Sequence, residues 1–157
     1  MSALVTSGTR VLPEWIDYNG HLMDGYYFVA FSDATEAVLD ALGFGPAYRE
    51  RTGHTIYTAE AHLTFLREVS LDTELSVATQ VIDHDPKRIH VVHDMVDAAT
   101  GERLATADLM FLHVDQSTGK VVPMPADQAA RVAAMAADHA DLPRPPELGR
   151  YVGMRRG

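Results

Sequence analysis

The chain has no cysteine. This excludes a disulfide framework, a thiolate metal site, an iron–sulfur cluster and a thiol nucleophile. Positive charge is scarce: 13 Lys and Arg stand against 22 Asp and Glu, a formal net charge of −9. Nucleic acid and anionic membranes attract proteins through a positive field, so neither is expected as a partner. Long apolar runs are missing too. Stretches such as Val91–Val92 and Leu109–Leu112 fall far short of the ~20 residues of a membrane helix. Met1–Arg10 has neither a basic start nor an apolar stretch. No secretory signal is therefore expected, and the expected location is cytoplasmic. There is no Gly-rich phosphate loop; Gly43-Phe44-Gly45-Pro46 reads as a helix stop and turn.

What remains is an ordinary globular composition. The 157 residues are 46% apolar and 22% charged, which predicts one domain with a sizeable core. We expect that domain over residues 1–140 and a tail over 141–157, where Leu142-Pro143-Arg144-Pro145-Pro146 cannot hold regular structure.

A short β-prone stretch ends at Val11–Leu12, stopped by Pro13. Apolar residues then recur at Phe28, Phe31, Thr35, Val38, Leu39 and Leu42, the spacing of a helix over 26–42 with one face to bury. Asp24 is the expected N-cap and Gly43 the expected stop. Four β-like stretches follow, at about 54–69, 74–83, 88–96 and 103–115. Short turn signals separate them, such as Asp83-His84-Asp85-Pro86 and Ala99-Thr100-Gly101, so antiparallel pairing is predicted. An Ala-rich helix closes the pattern at about 126–139. A long antiparallel sheet with one apolar helix implies an α+β layer with the helix across one sheet face. The other face then needs a cover, which predicts a dimer or tetramer.

The densest polar cluster is Trp15-Ile16-Asp17-Tyr18-Asn19-Gly20-His21-Leu22-Met23-Asp24-Gly25-Tyr26, between the first strand and the helix. A helix N-terminus offers free N–H donors and a positive dipole end, suited to a developing oxyanion. A carboxylate just upstream can act as base or nucleophile, and Asp17 beside Asn19 and His21 fits. An Asx turn, in which Asp17 and Asn19 bond only nearby backbone, is an equally concrete reading of these residues.

The run Val11-x-Pro13-x-Trp15-x-Asp17-Tyr18-Asn19-Gly20-His21, followed by Tyr26–Tyr27, resembles the hotdog-fold acyl-CoA thioesterases. The resemblance continues through Tyr57-Thr58-x-Glu60-x-His62, Phe65-Leu66-x-Glu68-Val69, Thr79-Gln80-Val81, Asp85-x-Lys87-Arg88-x-His90 and His113-Val114-Asp115. It covers about residues 8–125. Within that family the sequence is most similar to the betainyl-CoA thioesterase group, which also occurs fused to L-carnitine dehydrogenase. The resemblance implies a curved antiparallel sheet wrapped around a long central helix, with active sites at a subunit interface. It implies that Asp17 is the nucleophile or base and that a backbone N–H near Asp24 and Gly25 polarises the thioester. It implies an acyl-CoA substrate and no cofactor.

The remaining candidates have bland readings beside functional ones. On a regular strand Thr58, Glu60, His62 and Thr64 share one face, and Tyr57, Ala59, Ala61, Leu63 and Phe65 the other. Glu60 then faces a partner subunit or solvent. It either enters the partner's site as a catalytic group or makes a polar interface, and a β-bulge would change the faces. Lys87 and Arg88 open a strand after a turn and are candidates for the CoA phosphates, or for plain solvation. Arg67 is a further candidate. Trp15, Tyr26, Tyr27 and Tyr57 could line an acyl pocket and hold a trimethylammonium group by cation–π contact, or pack the core. The eight histidines lack metal-ligand spacing; His90 and His93 point to opposite strand faces, so no metal is expected. Two other functions compete: a hydratase, whose His-to-Gly signature is missing from the sequence, and a non-catalytic acyl-CoA-binding module.

Overall fold

The computed structural model describes residues 4–157; the first three residues of the Met1–Arg10 stretch lie outside them. The elements are β1 (Val5–Arg10), a 3-10 turn (Pro13–Trp15), α1 (Asp24–Ala41), α2 (Pro46–Thr52), β2 (His54–Phe65), β3 (Glu74–His84), β4 (Arg88–Asp97), β5 (Arg103–Asp115), β6 (Lys120–Val121) and α3 (Ala126–His139). The strands form one antiparallel sheet in the order β1-β3-β4-β5-β2, with β6 pairing β5. The architecture is the expected α+β hotdog, a curled sheet around a central helix.

α1 buries Tyr27, Ala30, Phe31, Ala34 and Val38. The buried seam thus runs through Tyr27, Ala30 and Ala34, and Phe28 is only partly covered. Small residues at 30 and 34 let the sheet approach closely, while Phe31 fills the gap between them. Facing the helix from the sheet are Val77, Val91, Met95, Ala107, Leu109 and Phe111, all buried.

His93 sits in this core. Its Nε2 is 2.9 Å from Thr35 Oγ1 and its Nδ1 is 2.8 Å from Thr79 Oγ1. The ring stacks on Phe31 at 5.8 Å. Burial holds its pKa down to about 3, so the ring is neutral and bonded at both nitrogens. His113 is also buried, with Tyr48 Oη at 2.7 Å from Nε2 and the Val122 carbonyl at 2.8 Å from Nδ1. Both are structural histidines, satisfied by short polar neighbours as buried polar groups must be.

Three features depart from the sequence expectations. Beyond the expected stop and turn at 43–46, residues 46–52 form a helix absent from those expectations, opened by Pro46 at its first turn and closed by Gly53 at φ 72°. Asp24 is the first residue of α1 rather than its cap; Met23 holds the cap position and makes no side-chain cap bond. The tail does not hang free. Glu147 is buried and accepts from Arg103 at 2.7 Å, Arg103 also reaches Asp94, and the Gly149 N–H donates to Asp108 Oδ2 at 2.9 Å. This straps residues 147–149 across the sheet face turned away from α1.

Candidate active site

Three segments meet at the start of α1. The Leu22 N–H donates to the Val69 carbonyl at 2.8 Å, and the Met23 N–H to the Trp15 carbonyl at 2.9 Å. Tyr27, one turn into α1, donates its hydroxyl to the Arg67 carbonyl at 2.9 Å. The 16–23 turn, the helix start and the loop after β2 are therefore clamped together. Between them lies an open cleft of about 620 Å³, lined by Asp17, Asp24, Tyr27, Phe65, Arg67 and Glu68 among others.

Asp17 sits in an Asx turn and also lines the cleft, so its two readings coexist. Its Oδ1 accepts the Asn19 N–H at 2.8 Å, its own N–H donates to the His21 carbonyl, and the Gly20 N–H returns to the Asp17 carbonyl. Gly20 holds φ 80°, the left-handed turn conformation that glycine adopts without strain. Asn19 and His21 thus act through their backbone; among the described residues neither side chain bonds Asp17. The local sequence fixes one carboxylate oxygen and leaves Oδ2 without a protein donor.

The helix start carries the second half of the chemistry. The first N–H groups of an α-helix have no intrahelical acceptor, which applies to Asp24. The Gly25 N–H, by contrast, donates to Asp24 Oδ1 at 2.8 Å. Of the two expected oxyanion donors, Gly25 is therefore engaged by the neighbouring side chain. A carboxylate and a helix N-terminus on the same cleft can activate a nucleophile and stabilise an oxyanion.

The other candidates are scattered. Tyr27 lines the cleft and packs edge-on against Phe65 at 5.0 Å. Burial, then the charges of Glu68 and Asp17, raise its phenol above the usual range. Trp15 and Tyr26 stack on one another at 5.5 Å, a packing pair beside the cleft rather than in its lining. Tyr57 is elsewhere. A register shift between Thr58 and Glu60 puts Thr58 opposite Phe111 but Glu60 opposite Met110. This bulge at Ala59 reverses the expected faces upstream: Tyr57 joins Glu60 and His62 on the side away from α1. Its hydroxyl accepts from Gln116 Nε2 at 3.1 Å.

Glu60 and His62 line a second cavity of about 240 Å³ with His90, Asp108, Gly149 and Arg150. His90 Nε2 lies 2.5 Å from Asp108 Oδ1. The sheet separates this cavity from Asp17 within the chain. Lys87 and Arg88 are also distant. Arg88 pairs with Leu112 and Phe65 with Ala105, a separation along β5 of ~23 Å. Arg88 is held by Asp85, with Nε and Nη2 each 2.6 Å from Oδ2, and this ion pair keeps the Asp85 carboxyl below its usual range. Arg67 does line the cleft, and its Nε pairs with Glu102 at 3.1 Å.

Glu68 was not among the candidate site residues read from the sequence. Its only signal there was its place in the Phe65-Leu66-x-Glu68-Val69 motif. Among the described residues no group of three His, Asp or Glu side chains could hold a metal ion, and no helix is long and apolar enough to cross a membrane.

The family model of the Thioesterase-like superfamily matches residues 11–132. A betainyl-CoA thioesterase of Pseudomonas aeruginosa is 41% identical over 151 residues, covering 96% of this chain and 95% of that protein. An L-carnitine dehydrogenase/betainyl-CoA thioesterase of Rhizobium meliloti is 42% identical over 148 residues, covering 94% of this chain but 30% of that longer protein. Among solved structures, a Staphylococcus aureus protein in complex with CoA superimposes with a TM-score of 0.91 at 27% identity, over 99% of this chain and 98% of that one.

Proposed function

This chain belongs to the thioesterase-like superfamily, and from that premise we propose that it hydrolyses betainyl-CoA to betaine and CoA. Two relatives named for that activity support the acyl group, and the CoA complex of a structural neighbour supports the carrier. The observation that carries the reaction is the position of Asp17, on the cleft at the N-terminus of α1.

In the reaction, water adds to the thioester carbonyl, the C–S bond breaks, and the CoA thiolate takes up a proton. Asp17 Oδ2 either removes a proton from the water or attacks the carbonyl itself. Its Oδ1 stays in the Asx turn, which orients the carboxylate without consuming it. The Asp24 N–H faces the negative charge that grows on the carbonyl oxygen, helped by the helix dipole. The turn backbone at Asn19 and His21 holds Asp17, and Tyr27 and Phe65 form the apolar wall.

The working unit is a homodimer in the cytoplasm. β2 is an edge strand of 12 residues, and Tyr57–Ala61 along it are exposed. An edge of that length without protection invites pairing with a second copy. Such pairing would bring the partner's Glu60, Tyr57, Lys87 and Arg88 into question as contributors to a shared site.

Thiol release from a panel of betainyl-CoA, short straight-chain acyl-CoAs and an aromatic acyl-CoA tests the reading. Selective turnover of betainyl-CoA is the expected result. Turnover of only the others would discard betaine as the acyl group, and turnover of none would favour a binding module.

A further inference from the structure

We propose that Glu68 is the specificity-determining residue that makes the Asp17 cleft prefer a cationic acyl group. The inference rests on the thioesterase reading above and deepens it.

The cleft has an uneven charge inventory. Asp17, Asp24 and Glu68 line it, and Arg67 is the cation among the lining residues. Arg67 is paired with Glu102 outside that lining. Two of the three carboxylates are committed locally, Asp17 to the Asn19 N–H and Asp24 to the Gly25 N–H. Glu68 has neither a hydrogen bond nor an ion pair among the described residues. Of the three carboxylates it is the one with neither oxygen held by a hydrogen bond.

Its backbone is nevertheless held. The carbonyl before it, on Arg67, accepts the Tyr27 hydroxyl, and the carbonyl after it, on Val69, accepts the Leu22 N–H. Glu68 is thus carried on a segment pinned at both neighbours, one to the helix and one to the catalytic turn. Tyr27, Asp17 and Glu68 line the same cleft, and the Tyr27 phenol is raised first by burial and then by the charges of Glu68 and Asp17.

The chemistry of the ligand follows. A quaternary ammonium group has no N–H to donate, so it cannot satisfy a site built of hydrogen-bond acceptors in fixed geometry. It is recognised by net negative charge together with aromatic faces. An unbonded carboxylate beside Tyr27 and Phe65 has that character. Asp17 is less suited to the task, because neutralising the ammonium would compete with its role toward the carbonyl.

The test compares betainyl-CoA with tert-butylacetyl-CoA, its neutral carbon isostere, in wild type, Glu68→Gln and Glu68→Asp. Both substrates carry the same CoA phosphates, so the ratio of their kcat/KM values isolates the acyl charge. Wild type is expected to favour betainyl-CoA. Glu68→Gln should lower the ratio roughly three- to tenfold, the scale of one partly solvated charge pair, and Glu68→Asp should retain most of it. A ratio unchanged in Glu68→Gln overturns the assignment, and so does an equal loss on both substrates. Wild type that hydrolyses neither ester overturns the thioesterase reading itself, a result distinct from a lost preference.

Discussion

The Tyr27 hydroxyl donates to the Arg67 carbonyl at 2.9 Å, tying the first turn of the central helix to the loop that carries Glu68. The bond is what gives the cleft its second wall. Tyr27→Phe removes the donor and leaves a carbonyl to find water, at a cost of about 1–2 kcal/mol. Urea unfolding should show a lower midpoint with an unchanged slope. The KM for acyl-CoA should rise with it, because the loop loses its anchor.

The pH dependence of stability carries a signature of His93. Its folded pKa is held at about 3 by burial, below its unfolded value. The contribution is therefore complete above the unfolded pKa of ~6.5 and is lost as pH falls toward the folded one, at up to about 1.4 kcal/mol per unit. Urea unfolding between pH 7 and pH 4 should show that slope in wild type. His93→Gln should be less stable at pH 7 and shallower in slope, whereas parallel slopes would show that His93 does not titrate in the unfolded chain alone.

The tail strap predicts a stability effect remote from the cleft. Glu147 is buried against Arg103, whose guanidinium holds the Glu147 carboxyl below its ordinary range. Glu147→Ala leaves Arg103 with Asp94 alone and removes the tail's ion pair to β5. We expect a loss of about 1–2 kcal/mol, discounted because Arg103 keeps partial access to water. In a thermal melt that is a drop of roughly 2–8 °C for a chain of this size.

The edge at β2 predicts the assembly. Sedimentation equilibrium should give a mass near twice 17.2 kDa, or a multiple of that if dimers pair further. A monomer at micromolar concentration would contradict the interface proposed for Tyr57–Ala61.

The long elements were legible in the sequence because their periodicity is local. The strand at 103–115 and the helix at 126–139 have the expected bounds, and β3 and β4 extend only one residue further. The second strand stops at Phe65 rather than Val69, because Leu66 and Arg67 turn their N–H groups to the Leu104 carbonyl. α2 has seven residues, too few for an apolar period to stand out. The bulge at Ala59 depends on register against β5, which no local pattern encodes, and it moved Tyr57 off the expected face. The strap joins Arg103 to Glu147, 44 positions apart, so its Pro-rich sequence reads as loose chain. In the site, the Asp17 turn was visible from Asp, Asn and Gly spacing. Glu68 was not, because its meaning lies in two neighbouring carbonyls clamped by residues from another part of the chain.

The central claim is that Asp17 performs the hydrolysis, and one substitution tests it cleanly. Asn at position 17 keeps an oxygen to accept the Asn19 N–H, so the turn survives while the carboxylate is lost. Thiol release from betainyl-CoA should fall by about 10²–10⁴ in kcat for Asp17→Asn relative to wild type, with CoA binding by calorimetry retained. Turnover at the wild-type rate in Asp17→Asn would contradict the account.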